Sequence, residues 1–461
     1  MHYTSVKLTN FRGFCDTPSI PLAPLTFLVG PNSSGKSSIF DALLLLAQSG
    51  FDPIAPTVKL PNWQGSLVDL GSYKDAVYRH EPSRKIIIAV NIATDSDERT
   101  YQSSKQPTPS GEGRFLFQMV SSGRNDPIGR LACLVITDVP TKQAITFRHS
   151  GTVSGQIAVN FLGRRRIRRL DPYLSKFYFS HWLSAQMQSI GRERRGADRT
   201  AAQRLSYFAA TPAFGHFISN TQRISSGRLG PKRWYSATGV TPVVRRGLYD
   251  AVDPQMIDEV QRPDDGETKK LGARQRQRLG RFLKELEIAS EVQDVKLSPY
   301  HSAINVKDSI TKIVSNLIDV GYGASQVLPV IIGCFSPSTS PLLVEQPEIH
   351  LHPRAQGTVA ELLCSTSRHR QVIIETHSEH MINRARILVA QGKIPAENVI
   401  INYISRKREG SFVKPITVEP NGDFGGAWPA GFFDERYQDT MRLLELKNRP
   451  GKLRRSSGRR S

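Results

Sequence analysis

Residues 25–40 read LTFLVGPNSSGKSSIF, and this stretch decides the fold class. The apolar run LTFLV ends at Gly30 and has the length and composition of a buried strand. The segment Gly30–Ser37 fits the pattern G-x-x-x-x-G-K-[ST] without deviation, and residues 36–48 show helical apolar periodicity. A strand, a glycine-rich loop and a helix in this order predict a phosphate-binding loop.

The chemistry of such a loop accounts for its residue types. Gly30 and Gly35 allow consecutive N–H groups to point at phosphate oxygens, and the helix N-terminus adds a favourable dipole. Lys36 brings a positive charge to the terminal phosphates, and Ser37 offers a hydroxyl ligand to Mg²⁺. The sequence therefore predicts a site for a nucleoside triphosphate such as ATP, formed by Gly30, Pro31, Asn32, Ser33, Ser34, Gly35, Lys36, Ser37 and Ser38.

Three more motifs lie in the last third of the chain. PLLVEQP at 341–347 is an apolar run ending at Glu345, which predicts a second Mg²⁺ ligand beside Ser37. VIIETHS at 372–378 places His377 where it is predicted to reach the γ-phosphate. GYGASQVLP at 321–329 is a glycine-bearing turn that opens a helix, and a helix N-terminus is an anion site. Residues 308–320 are predicted to form a helix that ends at this turn.

Apolar β runs alternate with helical patterns along the chain, which predicts an α/β fold with a mostly parallel sheet covered by helices. Runs at 85–93, 113–120 and 132–139 predict a β-rich subdomain, and 269–290 is predicted to be a charged helix. The expected domains are an N-terminal half that carries the phosphate loop at 1–150, a mixed or helical basic insertion at 151–305, a C-terminal half that carries the three later motifs at 306–440 and a basic tail at 441–461.

Composition narrows the class of protein. The chain has 461 residues, of which 39% are hydrophobic, enough for a core and too many for wholesale disorder. No apolar run approaches the roughly 18–20 residues of a membrane span, and the N-terminus lacks the pattern of a signal peptide. Four scattered cysteines without a C-x-x-C pair argue against a zinc knuckle or a disulfide framework. A cytoplasmic protein without membrane contact is expected.

The positive charge is concentrated in two segments. Of the net charge of +21, residues 161–235 carry +12 and residues 447–461 carry +7. Such clusters favour DNA, another polyanion or an acidic partner, although a solvated face is the alternative. The tail is of low complexity and is predicted to be disordered. A second cluster, RERR, occupies 192–195, and the densest run comprises Arg164, Arg165, Arg166, Arg168 and Arg169.

The segments GPNSSGKSS, GYGASQ, VEQPEIHLHP and IIETHSEH, in this order and spacing, resemble the ABC-type ATPase heads of the SMC, RecF and OLD ATPases. The strongest resemblance is to small bacterial AAA-type ATPases that carry VEQPEIHLHPRAQ. NFRGF at 10–14 and DFGGAWPAGFFDER at 423–436 also match segments of that group, and GRLGPKRWY at 227–235 matches more weakly.

The resemblance implies that two heads close over two ATP molecules, as a homodimer or within a larger oligomer. Gly323, Ser325 and Gln326 would then contact the γ-phosphate held by the other head, His377 would be the switch histidine, and His352 would lie near the dimer contact. Many relatives belong to anti-phage modules, in which such an ATPase senses infection and licenses a separately encoded effector.

One departure from the family affects catalysis. In most of these heads a glutamate directly follows the metal-side acid, but here the residue is Gln346. An amide orients water but cannot accept its proton. Either Glu348 or Glu345 is the base, or hydrolysis is slow. The candidate catalytic residues are therefore Glu345, Gln346, Glu348 and His377.

Two other sites are disfavoured. His350 and His352, with Glu361 nearby, have metal-ligand chemistry, but the resemblance gives these histidines a loop position at the dimer contact. Asp95 and Asp97 form a D-x-D pair like that of OLD nuclease domains, but the pair precedes the basic segment, and a solvated loop is the prediction. No nuclease is expected.

Several functions remain open. The first is an ATP-gated ATPase that binds DNA or a partner, and the alternative is an ATP-held scaffold that assembles an effector complex. DNA repair through long coiled-coil arms is disfavoured because no heptads are present. A transporter ATPase is disfavoured because the signature is not LSGGQ.

Overall fold

A computed structural model describes most of the chain in two compact units, Met1–Gly425 and Gly426–Ser461. The described residues are 1–50, 61–94, 111–121, 129–149, 156–161, 164–169, 204–205, 217–228, 230–236, 268–298, 301–336, 338–429 and 435–448.

The strands are His2–Phe11 (β1), Phe14–Asp16 (β2), Ile20–Pro21 (β3), Leu25–Val29 (β4), Ile86–Thr94 (β5), Gly111–Val120 (β6), Arg130–Asp138 (β7), Ala144–His149 (β8), Gln156–Phe161 (β9), Arg164–Arg169 (β10), Gln222–Ile224 (β11), Tyr235–Ser236 (β12), Glu291–Ser298 (β13), His301–Lys307 (β14), Val314–Asn316 (β15), Leu342–Glu345 (β16), Val372–Glu375 (β17), Val399–Lys407 (β18), Gly410–Val418 (β19) and Phe424–Gly425 (β20). The helices are Lys36–Gly50 (α1), Tyr73–Ala76 (α2), Thr268–Glu285 (α3), Tyr322–Phe335 (α4), Pro353–Thr366 (α5), Glu379–Ala390 (α6) and, in the second unit, Glu435–Asn448 (α7). Single 3₁₀ turns occupy Tyr78–His80, Leu317–Asp319 and Ala396–Asn398.

The central sheet of the first unit has the order β11-β16-β17-β4-β18-β19-β20. Its first five strands are parallel, and β19 and β20 continue the sheet as antiparallel strands. Every residue of β4, β16 and β17 is buried, as expected for strands covered on both faces. The sheet brings the carboxyl ends of β16, β17 and β4 side by side, and these three ends carry the predicted nucleotide site.

A second, antiparallel sheet runs in the order β10-β9-β8-β7-β6-β5-β1-β2, with β3 paired to β1. The apolar face of α1 packs in one core cluster with residues of both sheets, including Leu8 and Ile88 of the antiparallel sheet and Ile373 of the parallel one. The phosphate-loop helix is therefore held between the two sheets. The arginine run 164–169 forms β10, which pairs with β9 at the end of this sheet, so the sheet extends beyond residue 150.

The structure confirms most of the predicted elements at their predicted places: the P-loop strand and helix, the three β runs of the N-terminal half, the charged helix and the three strands of the C-terminal half.

The starts of two helices are fixed by capping side chains. The Ser378 side chain accepts a hydrogen bond from the Met381 N–H at the start of α6, and His352 caps α5, which begins with Pro353. No helix among the described residues is long and apolar enough to cross a membrane.

The predicted helix over 308–320 is wrong. Asp308 closes a turn instead, because its Oδ1 accepts hydrogen bonds from the N–H groups of Ile310 at 2.8 Å and Thr311 at 2.6 Å. The chain continues as β15, paired with β14, and a 3₁₀ turn capped by Asn316. Ile310 and Ile313 are exposed, so the apolar spacing that indicated a helix does not correspond to a buried face.

Candidate nucleotide site

The loop Gly30–Ser37 joins β4 to α1 in a conformation that needs its glycines. Gly30 has φ +144°, and a Cβ there would lie 2.0 Å from the Ile404 carbonyl oxygen. Gly35 has φ +107° and Ser33 has φ +58°. Lys36 is buried, and its Nζ donates hydrogen bonds to the carbonyl oxygens of Gly30 at 3.1 Å and Pro31 at 2.8 Å. The loop thus has the compact backbone of a phosphate cradle, with its lysine directed inward.

Ser37, the predicted metal ligand, contacts an acid that the sequence reasoning missed. Its hydroxyl lies 2.9 and 3.1 Å from the two carboxylate oxygens of Glu375, at the end of β17. Burial raises the pKa of Glu375 to about 7, although the Ser37 hydrogen bond and the Lys36 charge act in the opposite direction. VIIETHS was interpreted only through His377, yet a strand that ends beside the P-loop strand places its last residue against the loop.

Glu345 ends β16 and is the register partner of Glu375 on β17. Its carboxylate is held by a different group of residues: Oε1 accepts from Arg223 at 2.8 Å, and Oε2 accepts from the N–H of Ser226 at 3.0 Å and its hydroxyl at 3.2 Å. Asp41 of α1 adds a third buried acid, whose pKa burial raises to about 6 against the opposing charge of Arg12. Of these acids, Glu375 contacts Ser37 and offers a carboxylate of the kind that Mg²⁺ prefers, whereas both oxygens of Glu345 are bonded to Arg223 and Ser226.

Gln346 and Glu348 follow the strand in a tight turn. Gln346 has φ +41°, and its N–H donates to the Glu375 carbonyl oxygen at 2.7 Å. Glu348 Oε1 accepts the His377 N–H at 2.7 Å, whereas Glu348 Oε2 and His377 Nε2 are buried without a hydrogen-bond partner among the described residues. Two unpaired buried polar atoms beside a phosphate loop indicate a place for a polar ligand.

Electrostatics connect this turn to the loop. Burial raises the pKa of Glu348, and hydrogen bonds from the backbone of His377 and of Glu348 itself and from the Thr376 side chain, followed by the charge of Arg228, oppose that rise. Burial lowers the pKa of Lys36, while the negative charges of Glu375 and Glu348 oppose that change. The pKa of His377 is lowered by burial and then by Lys36. Glu348 and His377 are therefore both within electrostatic reach of the loop lysine.

Gly323, Ser325 and Gln326 lie in the first turns of α4. A Cβ on Gly323 would lie 2.8 Å from the His350 carbonyl oxygen, so the helix packs closely on the loop that follows β16. Ser325 and Gln326 are buried. The exposed part of this helix start is Tyr322, whose ring packs edge-on against His350 at 5.0 Å. Contact of this helix with a second nucleotide remains a prediction.

The residues of the disfavoured metal site each have a partner in the structure, with the His350 ring against Tyr322. His352 Nδ1 accepts the Arg354 N–H, and Glu361 pairs with Arg384 at 2.8 Å on the neighbouring helix. Within the described ranges, no three His, Cys, Asp or Glu side chains are grouped to hold a metal ion. Asp95, Asp97, the cluster at 192–195 and the tail beyond 448 lie outside the described residues.

The segment 222–228 supplies functional contacts that sequence reasoning did not find. Strand β11 pairs with β16, so Arg223 and Ser226 donate hydrogen bonds to the Glu345 carboxylate. Arg228 donates to the carbonyl oxygen of the same residue. Arg228 lies within GRLGPKRWY, which was noted only as a family segment. No periodicity or spacing signals that residues about 120 positions apart in the chain meet here. They are brought together by the pairing of β11 with β16, which is only three residues long.

Three family models match parts of the chain. "AAA ATPase domain" matches residues 1–131, "AAA domain, putative AbiEii toxin, Type IV TA system" matches residues 240–383, and "Protein of unknown function (DUF3696)" matches residues 394–443. The first match contains the phosphate loop, and the second contains the α4 start, Glu345, Glu348 and His377.

Among curated proteins, the chromosome partition protein Smc of Synechococcus sp. is 30% identical over 117 residues, which cover 25% of this chain and 9% of that protein. The chain therefore matches only a small part of this relative's length. Among solved structures, an Smc head bound to the C-winged helix domain of ScpA has 15% identity and a TM-score of 0.45, covering 91% of this chain and 98% of that one. The SMC head domain from Thermotoga maritima has 13% identity and a TM-score of 0.37, covering 91% and 100%.

The phosphate loop follows β4 of the parallel sheet, acids end the next two strands on one side, β17 and β16, and the two AAA matches include these three strands. The resemblance to AAA-type ATPases drawn from the sequence motifs is confirmed for these two parts of the chain, residues 1–131 and 240–383, which match models of AAA-type ATPase domains.

Proposed function

We propose that the chain binds ATP with Mg²⁺ and hydrolyses it, with Glu348 as the general base. The observation that carries the proposal is the state of the Glu348 carboxylate. One oxygen is fixed by the His377 N–H. The other is buried, has no partner at hydrogen-bond geometry in the described part of the chain, with the Thr376 hydroxyl as its nearest polar influence, and is within electrostatic reach of Lys36. Glu345, by contrast, has both oxygens bonded to Arg223 and Ser226.

The residues fit the nucleotide and its metal. The backbone of 30–38 and Lys36 would hold the phosphates, and Ser37 and Glu345 would hold Mg²⁺, with Glu375 adjacent. The metal, when bound, neutralises charge on the transferred phosphoryl group. A carboxylate with a raised pKa is a stronger base once ionised, and Lys36 nearby favours the ionised form.

The test compares wild type with Lys36→Ala, Glu348→Gln and, as a matched control, Glu361→Gln. We expect Lys36→Ala to lose nucleotide binding, measured with a fluorescent ATP analogue. Glu348→Gln should bind nucleotide normally and lose about 10²- to 10⁴-fold in kcat, the range for a removed general base. Glu361 lies on α5 and pairs with Arg384, so its variant should turn over like wild type. Turnover by Glu348→Gln at the wild-type rate would contradict the assignment.

Gln346 follows Glu345 directly and cannot accept a proton, so slow hydrolysis is the alternative to Glu348 as the base. The second candidate function is an ATP-held scaffold for an effector complex, and the same Gln346 favours it. Tight ATP binding by wild type without phosphate release, with or without duplex DNA, would support the scaffold. Turnover that increases when duplex DNA is added would exclude the scaffold.

We also propose that ATP closes two copies of the chain against each other through the start of α4. Support comes from the resemblance and from the exposed Tyr322 beside Gly323 and His350. In the Glu348→Gln background, ATP should shift the sedimentation coefficient to that of a dimer, and the added change Tyr322→Asp should prevent the shift. A monomer at saturating ATP in the parent background would contradict closure through this surface.

The basic run Arg164–Arg169 is the proposed contact for DNA or another polyanion. It forms one strand, β10, at the end of the antiparallel sheet. If n phosphates are neutralised, log K should fall with log salt with a slope of about −0.9n. Replacing the five arginines by Gln should flatten the slope of log K against log salt. Deletion of residues 449–461 tests separately whether the tail contributes to binding. Loss of binding only after the tail deletion would move the contact away from β10.

An anti-phage role with a separately encoded effector, a cytoplasmic location and the domain boundaries at 150, 305 and 440 remain proposals that rest on the resemblance and the sequence. Cells that express the wild-type chain with its neighbouring genes should survive phage challenge better than cells with Lys36→Ala. Equal survival would count against the defensive role, whereas the proposed ATP site is tested separately by nucleotide binding.

A further inference from the structure

Arg228 is a buried arginine whose guanidinium group donates hydrogen bonds to main-chain carbonyl oxygens. Only 4% of its surface is exposed. Nε donates to the Ser225 carbonyl oxygen at 3.0 Å and Nη1 to that of Gln326 at 2.9 Å. Nη2 donates to the carbonyl oxygens of Glu345 and Gln346, both at 2.8 Å. One guanidinium group therefore binds three different segments of backbone.

Two of those segments belong to different parts of the ATPase. Gln326 lies in α4, whose first turns carry the predicted contact for a second nucleotide. Glu345 and Gln346 end the metal-side strand β16. Gln346 has φ +41°, a left-handed conformation that is costly for a residue with a Cβ and that persists only when neighbours fix it. Its N–H is held by the Glu375 carbonyl oxygen at 2.7 Å and its carbonyl oxygen by Arg228.

This turn decides where Glu348 lies. Ile349 donates its N–H to the Gln346 carbonyl oxygen at 3.2 Å, so the backbone from 346 to 349 is a single hydrogen-bonded turn that starts at the group bound by Arg228. Glu348 in turn bonds the His377 N–H. Loss of the Arg228 bond would free the carbonyl that anchors the turn and leave a buried acceptor with one bond fewer.

We propose that Arg228 is a positioning residue that fixes the Glu345–Glu348 turn to the start of α4, so that the hydrolytic residues and the helix predicted to meet a second nucleotide move as one body. The role in turnover rests on the proposed function, whereas the mechanical link does not. The planar fork of an arginine suits this task because its five N–H donors reach several acceptors in fixed directions, which a lysine ammonium cannot do.

Arg370 provides a matched control. It is 3% exposed, with Nε bonded to the Ser340 carbonyl oxygen at 2.9 Å, Nη1 to that of Gly333 at 3.2 Å and Nη2 to the side-chain oxygen of Gln222, the first residue of β11, at 2.7 Å. These contacts involve the far end of α4, the start of β11 and the residues that precede β16 and β17. A variant of Arg370 therefore removes a comparable set of buried hydrogen bonds away from the nucleotide site.

The first arm uses hydrogen–deuterium exchange of the purified chain without nucleotide, in wild type, Arg228→Met, Arg228→Lys and Arg370→Met. We expect Arg228→Met to raise exchange at 345–349 and at 322–328 together, by about tenfold or more, which is the factor for one lost hydrogen bond of ordinary strength. Arg228→Lys should give a smaller rise, and Arg370→Met should leave both segments as in wild type. A rise in only one segment, or an equal rise in Arg370→Met, would overturn the link.

The second arm measures kcat and nucleotide affinity for the same variants. Arg228→Met should lower kcat about tenfold or more while the Kd of a fluorescent ATP analogue changes less than about threefold, because the phosphate loop is intact. Arg228→Lys should recover part of kcat, and Arg370→Met should keep wild-type kcat despite a lower melting temperature. Wild-type kcat in Arg228→Met would refute the role in turnover. If wild type itself shows no turnover, the proposed function fails, and the exchange arm still decides the link.

Discussion

The ion pair between Arg223 and Glu345 allows a quantitative test of how the metal-side acid is held. Nε and Nη2 of Arg223 both lie 2.8 Å from Oε1 of Glu345, and the side chains are 21% and 9% exposed. Removing one partner of a fully buried pair costs about 3–5 kcal/mol. Because Arg223 is partly exposed and Ser226 still donates to Oε2, we expect Arg223→Met to lower the free energy of unfolding by about 2–3 kcal/mol.

A double-mutant cycle measures the pair itself. Urea unfolding of wild type, Arg223→Met, Glu345→Gln and the double variant should give a coupling energy of about 2 kcal/mol. The matched control is Arg384 with Glu361, a pair at the same 2.8 Å whose side chains are 40% and 38% exposed. Solvent screening should keep its coupling energy below about 1 kcal/mol. Equal coupling in both pairs, or less than about 0.5 kcal/mol in the first, would show that burial does not strengthen the Glu345 contact.

Three further outcomes follow from the site geometry. Gly30→Ala should abolish nucleotide binding, because its Cβ would meet the Ile404 carbonyl oxygen at 2.0 Å; binding within about threefold of wild type, by the fluorescent analogue, would contradict the loop description. Asp41, with a pKa raised to about 6, favours its protonated form in the fold, so its stabilising effect is present below its usual pKa and is lost as pH rises through about 6. Between about pH 4 and pH 7, the free energy of unfolding of wild type, measured in urea, should therefore fall by on the order of 2–3 kcal/mol relative to that of Asp41→Asn. A difference between the two proteins that does not change with pH would refute this. Glu361→Gln should change the free energy of unfolding by less than about 1 kcal/mol, and a larger loss would show that its half-exposed pair is not screened.

Local patterns predicted the parts of the fold that local chemistry determines. The phosphate loop follows from its glycines, its lysine and the strand and helix around it, and the buried strands β16, β17 and β18 follow from continuous apolar runs. The helix over 308–320 failed because a carboxylate at Asp308 bonds two N–H groups ahead of it and closes a turn. Apolar spacing alone does not show which side chains are buried, and Ile310 and Ile313 are not.

The residues around the site that sequence reasoning missed share a different cause. Glu375 lies in the motif VIIETHS, of which only His377 was given a role. The contact of Glu375 with Ser37 depends on which strand lies next to β4. Arg223 and Arg228 reach the site only because β11 pairs with β16, more than a hundred residues later in the chain. Pairings between distant segments leave no periodic signal in the sequence, so the first contacts of the acids could not be predicted from it.

The sheet order has a consequence for synthesis of the protein. Strand β4, which ends in the phosphate loop, lies between β17 and β18, and both of these neighbours come from the last quarter of the chain. Roughly 370 residues separate the end of β4 from the start of β18, and at roughly 5–20 residues per second the ribosome needs roughly 20–75 s to supply them. Until β17 is made, near the end of that interval, the four apolar residues of β4 have neither partner strand, and such transiently exposed apolar surface favours aggregation of a nascent chain. The nucleotide site is therefore completed only in the last quarter of translation, and a chain truncated before residue 372 would lack both Glu375 and His377.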